Sequence, residues 1–580
     1  MSLIERIESE DGDQQIEPGK RLIRADDTGV RLAERIVYGL QRLAWRMPFA
    51  TVRLKSRAPL KLLAVPKDPV AGDKAIGEAL LQGRMVYGSE SVAVEGLDFD
   101  DPGLSSAFAD HLHSFAWLRD LAAAATREKG ARLAERITRH WLDTYSLRPD
   151  EDAWRPDRWG RRILFWTSYA PYILSSRDMV YRATLLNTLA RGARHLENFA
   201  DKVPPGLPRI SAWAGVIASA VVVQGGPARL SYGQAGLYRS LSAALHDDGG
   251  LISRSPVEQL QLVELLGQLR TVYYSGRREI PERLADLLSS TVAALLAATL
   301  GDEALSSWQG GNMMSRRRVA AAVEASGVQS RPLRQARGWG YQRLTAKNNV
   351  IVFDGAPPPA RRAGAGSCAS TLAFEFSDGA NRIVVNCGGA DPWAGTLSPQ
   401  LGQLLRYTAA HSTLTLGDRN STAILPGGAL GRGVSQVEVL RDEGADGNSV
   451  EGSHDGYVRR LGLRHERKLI LSADGSELKG QDNLWSANKR RRRGEPVPFA
   501  ARFHLAPGIE VAITADGQGA LLRIRGGNAW QFRCHEGTLA IEDSLWLDGA
   551  GVPQSSSQLV ITGECPPAGM TLGWQFRRAG

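Results

Sequence analysis

The stretch TLAFEFSDGANRIVVNCGG, Thr371–Gly389, decides the fold class. Leu372, Phe374 and Phe376 recur at every second position, the period of a half-buried strand. An Asp-Gly pair follows at 378–379, and a second apolar run begins at Ile383. Two runs separated by Asp-Gly spell a hairpin, because its tight turn needs positive φ. The same pattern continues from about residue 312 to the end, in VIVFDG, STLTLGD, LRHERKLILSADGS, ARFHLAPG, EVAITADGQG, ALLRIRGG and AWQFRCHEG. Further Asp-Gly pairs stand at 474–475 and 516–517. This half is expected to be a large antiparallel β sandwich.

Toward the N-terminus the period changes to that of a helix. Leu32, Ile36, Leu40, Leu43 and Met47 are spaced by four and three, as are Leu133, Ile137 and Trp141, and Leu185, Leu189, Ala193 and Leu196. Further helices are expected over roughly 208–224, 232–246, 256–275 and 280–300. Short connections between them suit antiparallel helices packed in a ring or stack. The chain is therefore an α+β multidomain protein. The period change lies near 305–340, and the domains are taken as 1–315 and 316–580.

The 580 residues carry a net charge of +9, with 71 Lys and Arg against 62 Asp and Glu. Only 11 of the 71 are lysine. An arginine surplus permits an anionic partner, and the planar guanidinium suits carboxylate and sulfate. The basic residues are dispersed and no aromatic-basic module is visible, which argues against nucleic acid. No run of about 18 apolar residues appears, so no membrane span is expected. Ser211–Val223 reads as a buried helix. The acidic, polar start lacks a secretory signal, so a cytoplasmic location is expected, with the cell envelope or periplasm as the alternative. The four cysteines form no CxxC pair and read as buried free thiols.

Three short stretches carry candidate chemistry. In AAHSTLTLGDRNST, Ala409–Thr422, alternation places Leu414 and Leu416 on one strand face and His411, Thr413 and Thr415 on the other. His411 is then expected to face solvent, a cleft or another domain. In LRHERKL, His465 and Arg467 share a face. In ARFHL, His504 lies opposite Phe503 and Leu505. Asn488–Pro498, with four consecutive arginines, reads as a solvated loop.

Taken together, LHSFAWLRDLAA (112–123), DDGGLISRSP (247–256), WGYQRLTA (339–346), IVVNCGG (383–389), AAHSTLTLGDRNST, HDGYVRRLGLRHERKL (454–469) and ARFHLAP (501–507) resemble the heparinase II/III family of bacterial proteins. The resemblance spans most of the chain. It implies an incomplete (α/α) toroid joined to an antiparallel β sandwich. It also implies a polysaccharide lyase that cleaves uronate-containing chains by β-elimination: a base removes the C5 proton, the carboxylate is neutralised, and an acid protonates the leaving oxygen at C4. No organic or redox cofactor is needed. Some members hold zinc in the β domain; His465 is the ligand this chain would offer, but no set of three assembles.

His411 matches the family histidine and is the first catalytic candidate. His454, Tyr457, His465 and Arg467 are candidates for binding the anionic sugar, with Asn420 in the turn after His411. HDGY also reads as a plain turn. The helical half departs from the pattern. Relatives place a tyrosine after a serine-proline step; here the stretch is SRSPVEQL, with Glu258 near that position. Relatives carry an asparagine-histidine pair where this chain reads GLPRISAWAG, with Arg209 near the asparagine. Arg254 on the carboxylate and Glu258 near the leaving group are the substitutes this chain offers. Against that, Glu258 stands on a helix's first turn after Pro256, where a carboxylate favours the dipole. His111 and His113 read as helix packing. The alternatives to a lyase are a noncatalytic carbohydrate-binding scaffold and a glycoside hydrolase, which needs two facing carboxylates such as Glu258 with Asp247 or Asp248.

Overall fold

A computed structural model of the chain describes residues 16–17, 19–25, 62–149, 151–224, 226–359, 366–389, 397–426, 428–487 and 495–579. The helix expected at Leu32–Met47 and most of the four-arginine stretch lie outside the described residues. Between Ala93 and Tyr341 every regular element is helical. These are α1 Lys74–Leu81, α2 Ser106–Ser114, α3 Trp117–Ala124, α4 Arg127–Tyr145, α5 Pro156–Ser168, α6 Ala170–Ile173, α7 Met179–Phe199, α8 Leu207–Ala218, α9 Gly226–Ala244, α10 Pro256–Ser275, α11 Glu282–Ala297 and α12 Arg316–Ser326.

The helices form an incomplete toroid around one aromatic and aliphatic core. Ile137 and Trp141 of α4, and Leu185, Leu189, Ala193 and Leu196 of α7, point into it. Arg162 of α5 is wholly buried there, its guanidinium 4.0 Å from the ring centre of Trp141 and 4.5 Å from that of Trp159. It donates to the His113 and Ala153 carbonyls at 2.7 and 2.9 Å, so aromatic faces and backbone oxygens replace the water it loses. Helix α10 begins where Ser255 caps the Glu258 amide and Pro256 occupies the first turn.

The C-terminal half is two antiparallel sheets packed face to face. One has nine strands: β1 Arg21–Arg24, β9 Gln436–Gly444, β10 Gly447–His454, β11 Leu463–Ser472, β12 Glu477–Ser486, β19 Gly569–Arg578, β16 Trp530–Cys534, β15 Gly519–Ile524 and β14 Ile509–Ile513, in that spatial order. The other runs β17 Thr538–Leu547, β18 Pro553–Cys565, β13 Val497–Leu505, β7 Asn381–Val385, β6 Phe374–Asp378, β5 Asn349–Asp354 and β4 Tyr341–Ala346, with β8 Leu414–Leu416 also on β13. A small hairpin, β2 Arg84–Tyr87 with β3 Glu90–Ala93, stands apart in the helical half. The Asp-Gly turns join β6 to β7, β11 to β12 and β14 to β15, and Gly379, Gly475 and Gly517 all have positive φ. Phe374 stacks on Trp574 at 5.6 Å across the core. β1 was not foreseen: a strand from the chain's start pairs Arg21–Arg24 with Gln436–Val439 of β9.

The two halves meet along a polar seam. Arg382 of β7 holds Asp302 at 2.8 and 3.2 Å and the Leu305 carbonyl at 2.9 Å. The Gly301 amide donates to Ser377 Oγ at 2.9 Å. Trp308, Trp339 and Tyr341 form an apolar cluster beside them. A Cβ on Gly389 would overlap Gly310, so only two glycines allow the β7 exit and the 309–312 loop to approach this closely.

Candidate active site

The segment Arg406–His411 lies along this seam. The Ala369 amide donates to the Arg406 carbonyl at 2.9 Å, and Cys387 N donates to Ala410 O at 3.0 Å. Ala369 belongs to a loop tied to the helical half, because Gln309 Nε2 donates to Ser370 Oγ at 2.8 Å and accepts from Cys368 N at 2.9 Å through Oε1. Gln309 holds φ at +46°, a strained value for a residue with a side chain.

His411 closes a single 3₁₀ turn, Thr408–Ala410, and precedes β8 rather than lying in it. Alternation therefore does not set its direction. It is 1% exposed, and Leu414 and Thr415 on both faces of β8 are buried too, which corrects the expected open strand face. Nδ1 is 2.8 Å from the Tyr407 carbonyl, so that nitrogen carries the proton and Nε2 is the basic one. Nε2 makes no hydrogen bond among the described residues. Burial pushes the imidazole down to about 4, against the Tyr407 carbonyl bond and the nearby Asp354 charge. The ring is thus neutral near pH 7. It can accept a proton, but it does not neutralise a carboxylate as a cation would.

Two neighbours passed unnoticed in the sequence. Arg406 is 6% exposed and donates Nε–H to the Ser367 carbonyl at 2.8 Å. It has no carboxylate partner among the described residues, and burial lowers its affinity for its proton. Tyr407 is half-buried, and its hydroxyl makes no hydrogen bond among the described residues. The available signal was RYTAAH itself, an arginine and tyrosine one helical turn before the histidine.

The other candidates lie elsewhere. His465 and Arg467 face the sandwich interior, both 0% exposed. Arg467 grips Asp482 with two bonds of 2.7 and 2.9 Å and donates to Ser412 O at 2.7 Å. His465 Nε2 is 2.7 Å from the same carboxylate, and its Nδ1 is 3.3 Å from His454 Nε2. Trp574 Nε1 adds a fourth donor to Asp482 at 2.9 Å. The carboxylate is held well below its ordinary range: burial opposes this, and Arg467 and His465 outweigh it. Tyr457, 1% exposed, donates to Leu414 O at 3.0 Å. None of these four side chains reaches a sugar outside. The parity of LRHERKLILS already said so, since Leu463, Leu469 and Leu471 share a face with His465 and Arg467. Asn420, half-buried, accepts from Thr408 N at 2.9 Å and fixes the turn before His411.

On the helical side, Arg254 is 3% exposed at φ +56°. Its guanidinium goes to Trp339 O at 2.8 Å, Pro357 O at 2.8 Å and Asp354 Oδ1 at 2.5 Å. It clamps the halves together instead of facing a substrate. Arg209 spends Nε and Nη2 on the Val203 carbonyl at 3.1 and 2.7 Å. Glu258 stands on the first turn of α10, half-buried, its carboxyl raised by burial against a Ser253 hydrogen bond. That raised carboxyl suits a proton donor. Val257 and Ser255 of the same turn border Gly311; among the described residues no bond joins Glu258 to His411. Asp248 is spent on the amides of Gly338, Trp339 and Gly250 at 2.8, 2.9 and 3.2 Å.

His504 is 2% exposed, with Nε2 3.0 Å from Ala409 O and Nδ1 2.8 Å from Ser544 Oγ. It supports the His411 segment from below. All four cysteines are free and buried. Among the described residues no group of three or more His, Cys, Asp or Glu could hold a metal ion, and no helix is long and apolar enough to cross a membrane.

Residues 328–575 match the family described as Heparinase II/III-like, C-terminal. FtsZ-localized protein C of Caulobacter vibrioides is 29% identical over 573 residues, covering 96% of each chain. Among solved structures, heparinase III superposes with a TM-score of 0.66 at 13% identity, covering 96% of this chain and 92% of that one. Heparan sulfate lyase HepC from Pedobacter heparinus does so with a TM-score of 0.56, also at 13% identity, covering 96% of this chain and 92% of its own. At that identity the likeness speaks for the fold: toroid first, β domain second. The chain thus carries a Heparinase II/III-like C-terminal domain within the two-part architecture of these lyases.

Proposed function

We propose that this chain is a polysaccharide lyase that cleaves a uronate-bearing acidic polysaccharide by β-elimination at the seam beside His411. The observation that carries the reading is His411 itself: neutral, its Nδ1 fixed by Tyr407 O, its Nε2 without a partner among the described residues. In this scheme Nε2 takes the C5 proton. The C5–H electrons form the C4–C5 double bond as the C4–O bond breaks, and Tyr407 or Glu258 protonates the leaving oxygen. Arg406, a cation without a carboxylate partner among the described residues, receives the uronate carboxylate and lowers the cost of charge at C5.

The test is to incubate the protein with a panel of uronate polysaccharides and follow ultraviolet absorbance of unsaturated ends. Growth of that absorbance, lost in His411→Ala and strongly reduced in Arg406→Ala, supports elimination. Reducing ends without new absorbance point to hydrolysis, which Asp248 disfavours by being tied to backbone amides.

A second reading, a noncatalytic carbohydrate-binding scaffold, is favoured by a specific observation. Two toroid residues offered for the site, Arg254 and Arg209, direct guanidinium donors to groups inside the protein. A relative named for localising with FtsZ fits a scaffold as readily as an enzyme. Measurable polysaccharide binding with no cleavage of any panel member selects this reading.

A further inference from the structure

Strand β1 walls one side of a pocket of about 270 Å³ at the seam, closed by the 246–254 turn, Arg337 and the proline run 357–359. Four arginines line it: Arg21, Arg24, Arg254 and Arg337. Three carboxylates answer them. Asp354 takes Arg254, Asp248 is bonded to backbone amides beside Arg337, and Glu17 serves both Arg337, at 2.7 Å, and Arg21, at 3.6 Å. The Arg24 side chain makes no hydrogen bond or ion pair among the described residues.

Glu17 is the informative group. It is 57% exposed and precedes β1, yet its two oxygens reach guanidiniums from two different parts of the chain. Its carboxylate lies beside the pocket lining and shows that Arg21 and Arg337 converge on one oxyanion. An exposed carboxylate held only by side-chain pairs is cheap to displace, because such pairs contribute little in water. Arg24 supplies a further donor that Glu17 does not use. The pocket is just below the ~300–1,000 Å³ of drug-sized ligand sites, which limits it to a group near the size of one sugar unit. Ile252 and the prolines provide an apolar wall beside the charges, as the face of a sugar ring requires.

We propose that this pocket binds the carboxylate or sulfate of one acidic sugar unit, and that Glu17 is the built-in competitor which the incoming anion displaces. That the anion is carried by a sugar rests on the substrate class proposed above; the preference for an oxyanion rests on the pocket alone.

The test is calorimetric titration of the full chain, at fixed ionic strength, with an unsulfated uronate tetrasaccharide, a neutral tetrasaccharide and inorganic sulfate. The uronate probe is expected to bind and the neutral one not. Arg24→Ala and Arg337→Ala should each weaken binding about tenfold, the worth of one charge-assisted hydrogen bond. Glu17→Gln should tighten it several-fold, the opposite sign. Unchanged affinity in Glu17→Gln and Arg24→Ala would overturn the proposal. Equal binding of inorganic sulfate and the tetrasaccharide would overturn the sugar assignment and leave a free-anion site. All three side chains are at least partly exposed, and a thermal melt of each variant confirms folding. The two proposals fail separately: variant-sensitive binding without unsaturated ends sinks only elimination, while unsaturated ends with variant-insensitive binding sink only this pocket.

Discussion

Arg254 Nη2 lies 2.5 Å from Asp354 Oδ1, with both side chains buried, and this pair joins the turn before α10 to the end of β5. Tyr341 completes the joint, donating its hydroxyl to the Arg254 carbonyl at 2.7 Å while its ring lies 4.8 Å from the guanidinium. Asp354 also accepts from Ser370 at 2.7 Å. One ion pair thus connects the helical half, the β sandwich and the loop that carries the His411 segment.

Replacing Arg254 with alanine leaves Asp354 buried without its cation. The expected loss of stability is about 3–5 kcal/mol, the usual result of breaking one side of a buried pair. Arg254→Lys should lose much of the same, because an ammonium cannot reach Trp339 O, Pro357 O and Asp354 together. Chemical denaturation measures it; a change below about 1 kcal/mol would show that the joint does not depend on this residue.

Arg467→Met makes the corresponding break inside the sandwich. Asp482 would lose two of its four donors, and a destabilisation of about 3–5 kcal/mol is expected. The double variant Arg467→Met with Asp482→Asn should recover part of it, since the stranded charge is gone. Recovery absent from the double variant would mean that the loss comes from packing against Phe374 and Trp574 rather than from charge.

His411→Ala removes a buried ring, so it should cost roughly 1–3 kcal/mol, more than an open strand face would. Turnover on an identified uronate substrate should fall by about 10²-fold or further. His504→Ala is the control: a comparable stability loss with a smaller loss of rate. Equal rate losses in the two variants would assign His411 to support alone.

Acid should begin to destabilise the chain near pH 6. Burial pushes His111, His195 and His504 down to about 3, and His113 and His411 to about 4. Unfolded, each takes a proton near pH 6.5. Below that pH the unfolded state binds more protons, so stability falls as pH drops, by about 1.4 kcal/mol per pH unit for each histidine. Glu375, raised to about 7, and Asp120, raised to about 6, act in the opposite sense above their unfolded values. Five histidines outweigh two carboxyls between pH 6 and 5. The melting temperature should therefore fall over that interval, and a rise would contradict the burial assigned to these rings.

Periodicity made most of the architecture legible. A period near 3.6 before residue 300 and a period of two after 340 reflect which side chains each backbone can turn toward a core, and that is a local property. The Asp-Gly hairpins were legible for the same reason. β1 was not: four residues, RLIR, carry no periodic signal, and they become a strand only because β9 offers an unpaired edge far along the chain.

The site divides in the same way. The sequence by itself placed His411 in a distinctive segment and put His465 and Arg467 on one strand face. Leu463, Leu469 and Leu471 on that same face already marked it as the core, although the resemblance offered it as a sugar-binding face. The sequence picked out Arg254 as a cation for the substrate carboxylate, but its partners lie about 100 residues away at Trp339, Asp354 and Pro357. Whether an arginine is free for substrate or spent on the fold depends on which carbonyls and carboxylates the packed chain brings within 3 Å of it. No local pattern encodes that. Only the tertiary structure turned Arg254 and Arg467 inward, left Arg406 without a carboxylate among the described residues, and brought Glu17 between Arg21 and Arg337.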